Sequence, residues 1–253
     1  MAFDEWMFSE VLNHPGSIIL RLYSWSEGAI TFGCNQRWDR ALDKSKVGAT
    51  PIIRRITGGR ALYHEPSELT YSIAVNDVNI PGFDAGVSIA KASRTIATVL
   101  VSFLESLGIE SQYESRSSTV SVGRDFFHTA PCFASNSRHE IVRGVDASKV
   151  VASAQRKIGD AIFQHGSIKI SGVASHPALS AAHVKSNNIN NLKALTVGQF
   201  DDCSRRFVES FRKSVGLEFV ECELSEKEVR RVDSGVARVR KNNLDRRDIF
   251  KQK

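Results

Sequence analysis

The stretch Arg54–Ala74, RRITGGRALYHEPSELTYSIA, constrains this chain more than any other. Two arginines end a short apolar run, and a Thr-Gly-Gly turn follows. Then come Ala-Leu-Tyr-His, a Glu-Pro-Ser-Glu turn and the alternating run Leu69–Val75. The pattern reads as strand, glycine turn, strand, turn, strand. Gly58 and Gly59 allow positive φ and let the backbone approach a ligand with no Cβ in the way. Arg55, Arg60 and His64 bracket the turn with positive or switchable charge. A Gly-Gly turn also serves simple hairpins, so on its own it leaves both a binding loop and a plain hairpin open.

Around this stretch the periodicities alternate between strand and helix. Ala2–Asn13 places Phe3, Met7 and Val11 at helical spacing with Trp6 beside them. Ser17–Tyr23 and Ala29–Gly33 read as strands joined by the Ser-Glu-Gly turn, so that sequential hairpins dominate the first eighty residues. Gln36–Leu42 fits one or two helical turns. Ile89, Ala92, Ile96, Val99, Leu100, Phe103, Leu104 and Leu107 form the clearest helical stripe, with Ser88 able to cap it and Gly108 to end it. Strand candidates follow near 123–128, 140–143, 149–155 and 161–170, and 171–193 reads as a long polar loop. Two capping boxes, Thr196 with Gln199 and Ser225 with Glu228, open the last helices. The fold class expected is α+β, with mixed, largely antiparallel sheets packed with helices. A single domain over 1–242 is expected, with 243–253 as a poorly ordered basic tail.

Composition narrows the function classes. There is no run of eighteen apolar residues to span a membrane. Asp4 and Glu5 precede any basic residue, so a secretory signal is not expected and the cytoplasm is the default location. The cysteines Cys34, Cys132, Cys203 and Cys222 form no CxxC pair, which argues against a structural metal and for free thiols. No Walker loop or GxGxxG appears, so no nucleotide cradle and no cofactor is expected. From Glu226 to Lys253 there are ten Lys or Arg against five acids, which is five of the net +6. That concentration offers a docking surface for an acidic protein or is simply a solvated helix face. With Phe250 as its one aromatic residue, the segment is poorly suited to stacking on nucleic acid bases.

Cys132 lies in Thr-Ala-Pro-Cys-Phe-Ala-Ser, a turn-like polar setting. Seventeen residues on, Lys149 opens Lys-Val-Val-Ala-Ser-Ala-Gln, and His165 follows in Gln-His-Gly-Ser-Ile. A thiol becomes a nucleophile when nearby positive charge favours the thiolate, and a lysine ammonium also steadies an oxyanion. Spacing alone equally allows a strand-edge lysine, a hydrogen-bonded core histidine and a half-buried thiol.

The RRITGGRALYH…ELTYS block resembles the signature of the lipoate–protein ligase, octanoyltransferase and biotin–protein ligase family. The segment KVVASAQRKIGDAIFQHGSI resembles that family's lysine segment and the strand after it. Within the family the chain is most similar to the cysteine-dependent octanoyltransferases. Arg60 stands where ATP-using ligases carry a third glycine, 68–72 read ELTYS, and Pro131-Cys132-Phe133 stands at the acyl-accepting cysteine. The resemblance implies a ligase-like catalytic fold with Cys132 as nucleophile and Lys149 lowering its pKa. It implies that Arg55, Gly58, Gly59, His64, Ser153, Gln155 and His165 line the acyl and phosphopantetheine pocket. The implied reaction carries octanoyl, or lipoyl, from acyl carrier protein through a cysteine thioester to a lysine. That lysine belongs to a lipoyl-domain acceptor such as the glycine cleavage H protein, and no membrane or nucleic acid partner is involved. The alternatives are an ATP-dependent lipoate or biotin ligase, and a degenerate protein that only binds carriers. Ala152 departs from the family's usual glycine, which bears on the acyl length accepted.

Overall fold

The computed structural model describes residues 1–37, 42–76, 88–114, 140–144, 149–170, 176–179 and 196–248. Cys132, the strand expected near 123–128 and most of the loop expected over 171–193 lie outside them. In chain order the elements are α1 (Ala2–Asn13), β1 (Ile18–Tyr23), β2 (Ala29–Phe32), β3 (Ile52–Arg54), β4 (Leu62–His64) and β5 (Leu69–Asn76). After these come α2 (Ile89–Ser106), β6 (Ser111–Glu114), β7 (Glu140–Arg143), β8 (Lys149–Ile158), β9 (Ala161–Ile168), α3 (Val197–Val215) and α4 (Glu226–Asp248).

The strands form a six-stranded sheet in the order β1-β5-β9-β8-β7-β6, antiparallel throughout, and a three-stranded sheet in the order β3-β2-β4. In the small sheet β2 runs parallel to β3 and antiparallel to β4. The α+β class and the antiparallel bias agree with the sequence, but the early hairpins do not. β1 pairs with β5 over six residues rather than with four-residue β2. β2 inserts between β3 and β4, so the glycine turn links two strands that never touch. Longer pairing with a distant strand outweighs the nearer partner, which turn residues alone do not reveal.

One face of the large sheet carries Leu69, Tyr71, Ile73 and Val75 of β5 and Ile162 and Ile168 of β9 against α2 and α3. Ile96, Val99, Leu100, Phe103 and Leu104 of α2 are at most 1% exposed, and each such burial contributes about 1.5–3 kcal/mol. Both capping boxes form, and Gly216 ends α3 in the left-handed region. On this face Gly166 lies across from Tyr71, and a Cβ at Gly166 would meet the Tyr71 ring at 2.4 Å. The ring is held by Ser153 Oγ at 2.9 Å and Gln164 Nε2 at 2.7 Å. Gly166→Ala is therefore expected to cost roughly 1–3 kcal/mol, read as a lower urea midpoint. An unchanged midpoint would mean that the ring can step aside.

The opposite face takes α1, whose Trp6, Met7, Phe8 and Val11 pack against Ala74, Ala161 and Phe163. α4 lies on α1 through ion pairs from Arg231 to Glu10 and from Arg238 to Glu5. Two of the arginines that the sequence offers for docking are thus engaged within the fold. α4 runs on through Asn242 to Asp248. No Gly or Pro follows Gly235, so nothing in the sequence stops the helix there. No described helix is long and apolar enough to cross a membrane.

Candidate active site

The face of the large sheet not covered by α2 and α3 exposes two ladder rows beneath the small sheet. One row is Arg21–Ser72–His165–Ala154, and the next is Tyr23–Thr70–Ser167–Ala152. The glycine turn and β4 stand over these rows. Between them lies a cavity of about 380 Å3, its mouth included. Its floor is Tyr23, Thr70, Ala152, Ala154, His165 and Ser167, and its roof is Arg55, Gly59, Arg60, Leu62 and His64. Gly59 has φ +87°, and a Cβ there would lie 3.1 Å from an Arg55 guanidinium nitrogen and 3.5 Å from Ala154. The turn can therefore sit down on β8 only with glycine at this position.

Two buried relays pin the turn to the sheet. His165 Nδ1 is 3.3 Å from Asp4 Oδ2, and its Nε2 is 2.6 Å from Thr57 Oγ1. An ionised carboxylate only accepts, so Nδ1 carries the proton and the Thr57 hydroxyl donates to Nε2. Asp4 also accepts from Ser72 Oγ at 2.9 Å and faces the Arg21 guanidinium at 3.7 Å. Burial pushes the Asp4 carboxyl up, but the Met1 ammonium, the His165 bond and Arg21 outweigh it and hold the group below the ordinary carboxylate range.

The second relay starts at Glu68. Its Oε1 accepts from His64 Nδ1 at 2.5 Å and Thr70 Oγ1 at 2.8 Å, and its Oε2 accepts from Lys169 Nζ at 2.5 Å. His64 Nε2 then accepts from Thr31 Oγ1 at 2.7 Å, and Thr31 accepts from Arg55 at 2.7 Å. The same guanidinium donates to the carbonyls of Gly58 at 3.0 Å and Arg60 at 2.8 Å, closing the turn from within. Trp25 stacks on His64 at 4.2 Å and donates its Nε1 proton to Thr70. Burial lowers the pKa of both histidines, against the pull of their carboxylates. Lys169 already balances Glu68, so His64 has no need to carry a second positive charge. Neutral rings with both nitrogens engaged are fasteners in this arrangement, not free bases.

Of the residues proposed from sequence, Arg55, Gly59, His64, Ser153 and His165 line the cavity. Gly58 meets it only through the turn, by accepting from Arg55. Ser153 directs its Oγ to Tyr71 on the other face of the sheet, and Gln155 bonds Gln164 there at 3.1 Å. Lys149 is 3% exposed at the start of β8. Between the pairs Ile141–Val151 and Val142–Lys149, β8 carries one extra residue, a bulge of the kind that re-aims side chains beside functional sites. Cys132 lies outside the described residues, and no cluster that could hold a metal occurs among those described. Sequence reasoning missed Asp4, Glu68 and Lys169 as parts of the site. Asp4 falls on the buried stripe with Met7 and Val11, and an acid on an apolar stripe is the signal that was there to be read.

The chain is similar to known proteins in both sequence and fold. A stretch of the Carboxydothermus hydrogenoformans protein named octanoyltransferase LipM is 35% identical over 173 residues, 67% of this chain and 60% of that one. The Clostridioides difficile protein of the same name is 34% identical over 66% of this chain and 59% of that one. The chain thus matches about three-fifths of the length of those relatives. With the Staphylococcus epidermidis octanoyltransferase LipM the match is 27% identical and covers 92% of this chain and 88% of that one. Among solved structures, a T. acidophilum protein with bound lipoic acid superimposes with TM-score 0.72 at 20% identity, covering 92% of this chain and 86% of that one. Lipoate-protein ligase A bound with ATP gives 0.69 at 18% identity, covering 92% and 86%. These likenesses carry the fold. The model of the lipoyl protein ligase A/B catalytic domain matches residues 1–215, from α1 through both sheets to the end of α3, and the chain belongs to that family.

Proposed function

We propose that the protein is an octanoyltransferase of protein lipoylation. The cavity beneath the glycine turn carries this reading: a partly open cleft with Ala152, Ala154, Thr70 and Ser167 in its floor, in a chain whose relatives bear that name. Octanoyl–acyl carrier protein is the donor. The Cys132 thiolate attacks the thioester carbonyl, the C–S bond to the carrier breaks, and the carrier thiolate leaves and takes up a proton. A neutral lysine amine on a lipoyl-domain acceptor, such as the glycine cleavage H protein, then attacks the acyl-enzyme. The bond to Cys132 Sγ breaks, an amide forms, and the amine proton passes to solvent. Lys149 favours the thiolate and steadies the developing oxyanion. One thioester replaces another at little cost, and amide formation is downhill, so ATP is not required. A reducing cytoplasm keeps the thiol free for this cycle.

Incubation with octanoyl–acyl carrier protein is expected to add the mass of one octanoyl group to the protein, mapped to Cys132 and absent from Cys132→Ala. Pyrophosphate exchange from ATP with lipoate, and no adduct, would replace the transferase with a ligase. Binding of carrier with neither activity would leave a carrier-binding protein.

A further inference from the structure

We propose that Ser167 is the hydrogen-bond donor for the carbonyl oxygen of the bound acyl group, an inference that rests on the octanoyl-transfer reading. Ser167 is 1% exposed, lines the cavity, and its Oγ has no hydrogen-bond partner among the described residues. A buried hydroxyl left unpaired is costly, and native folds rarely tolerate it without a use.

None of the described neighbours of Ser167 makes the missing bond. In its ladder row Thr70 gives its proton to Glu68 and accepts from Trp25, and Ala152 on the other side has no polar atom. Along β9, His165 has both ring nitrogens engaged by Asp4 and Thr57, and Lys169 is turned to Glu68 and the Tyr63 carbonyl. Among the described residues that leaves the hydroxyl to whatever fills the cavity. An octanoyl group carries one hydrogen-bond acceptor, its carbonyl oxygen, and the rest is hydrocarbon.

Placement agrees with this assignment. Of the β8 residues that line the cavity, Ala152 comes first after Lys149, and Ala152 is the direct ladder partner of Ser167. Lys149 opens β8 three residues before Ala152. A carbonyl at the Ser167 row is therefore at the Lys149 end of the floor. The alkyl tail then runs over the next row, Ala154 and His165, beneath Gly59 and Leu62.

The test uses the Cys132→Ala protein, which cannot turn over, and two probes. Octanoyl-pantetheine and S-octyl-pantetheine differ only in having a carbonyl or a methylene at one position. Adding Ser167→Ala is expected to weaken the carbonyl probe roughly three- to ten-fold and to leave the thioether probe unchanged. Ser167→Cys keeps a donor at this position, a weaker one on a slightly larger atom, so it should give the same contrast at smaller amplitude even if the alanine variant folds poorly. Equal losses for both probes, or no loss for either, overturn the role of Ser167 while octanoyl transfer stands. Failure of the parent to bind either probe overturns both.

Discussion

Glu68→Ala is expected to destabilise the protein by roughly 3–5 kcal/mol, the cost of removing one partner from a buried ion pair. Glu68 is 0% exposed and accepts from His64, Thr70 and Lys169. Burial pushes its carboxyl up, but His64 and Lys169 together hold it well below the ordinary carboxylate range. Removing it leaves the Lys169 ammonium, 1% exposed, bonded to the Tyr63 carbonyl at 2.8 Å, a neutral acceptor that does not balance its charge. It also leaves His64 Nδ1–H and the Thr70 hydroxyl without their acceptor. The relay to Thr31 and Arg55 then loses its anchor, and the turn over the cavity loosens with it. Urea unfolding reads the loss directly. A neutral pair, Glu68→Gln with Lys169→Met, keeps an acceptor for His64 and Thr70 and removes the stranded charge. It is expected to cost less than Glu68→Ala alone. A single-variant cost below about 1 kcal/mol, as for exposed pairs, would show that water reaches this cluster.

The sequence made the helices legible because their faces repeat. The stripe from Ile96 to Phe103 and the boxes at Thr196 and Ser225 are local signals, and the structure keeps them. The glycine turn and its arginines were legible as a unit for the same reason. Strand partners were not, because register is decided by residues distant in sequence: Tyr23 meets Thr70, which meets Ser167, which meets Ala152. The cavity floor is that row, so no local pattern could draw it. The charged members of the relays were hidden differently. In the sequence Asp4 bears only on the N-terminus, and nothing singles out Lys169. A lone charge reads as exposed until its partner is known, and the partners lie 161 residues away for Asp4 and 101 for Lys169.

Stability is expected to fall on acidification in two stages, with the histidines first. His165 faces Asp4 from α1, Arg55 and Thr57 from the glycine-turn segment, and the Met1 ammonium; His64 faces Glu68, Lys169, Arg55 and Trp25. Both rings have pKa values lowered from 6.5, with burial the main cause. The unfolded chain then binds more protons than the folded one as pH drops below 6.5. Their contribution is complete above that value and is lost as pH falls toward the folded pKa values. Each ring gives a slope of up to about 1.4 kcal/mol per pH unit, so the pair gives up to about 2.7. Asp4 and Glu68 follow. Their ordinary values are 3.8 and 4.5, and the fold holds both lower. The stability they supply is present above those values and drains away below them. Urea midpoints between pH 8 and pH 4 measure the curve, and His64→Gln and His165→Gln should each remove about half of the first slope. A wild-type protein equally stable at pH 8 and pH 5 would mean that the rings take up protons in place. Thr31 and Thr57 would then have to accept rather than donate, and the two relays could not hold the turn in the way their hydrogen bonds require.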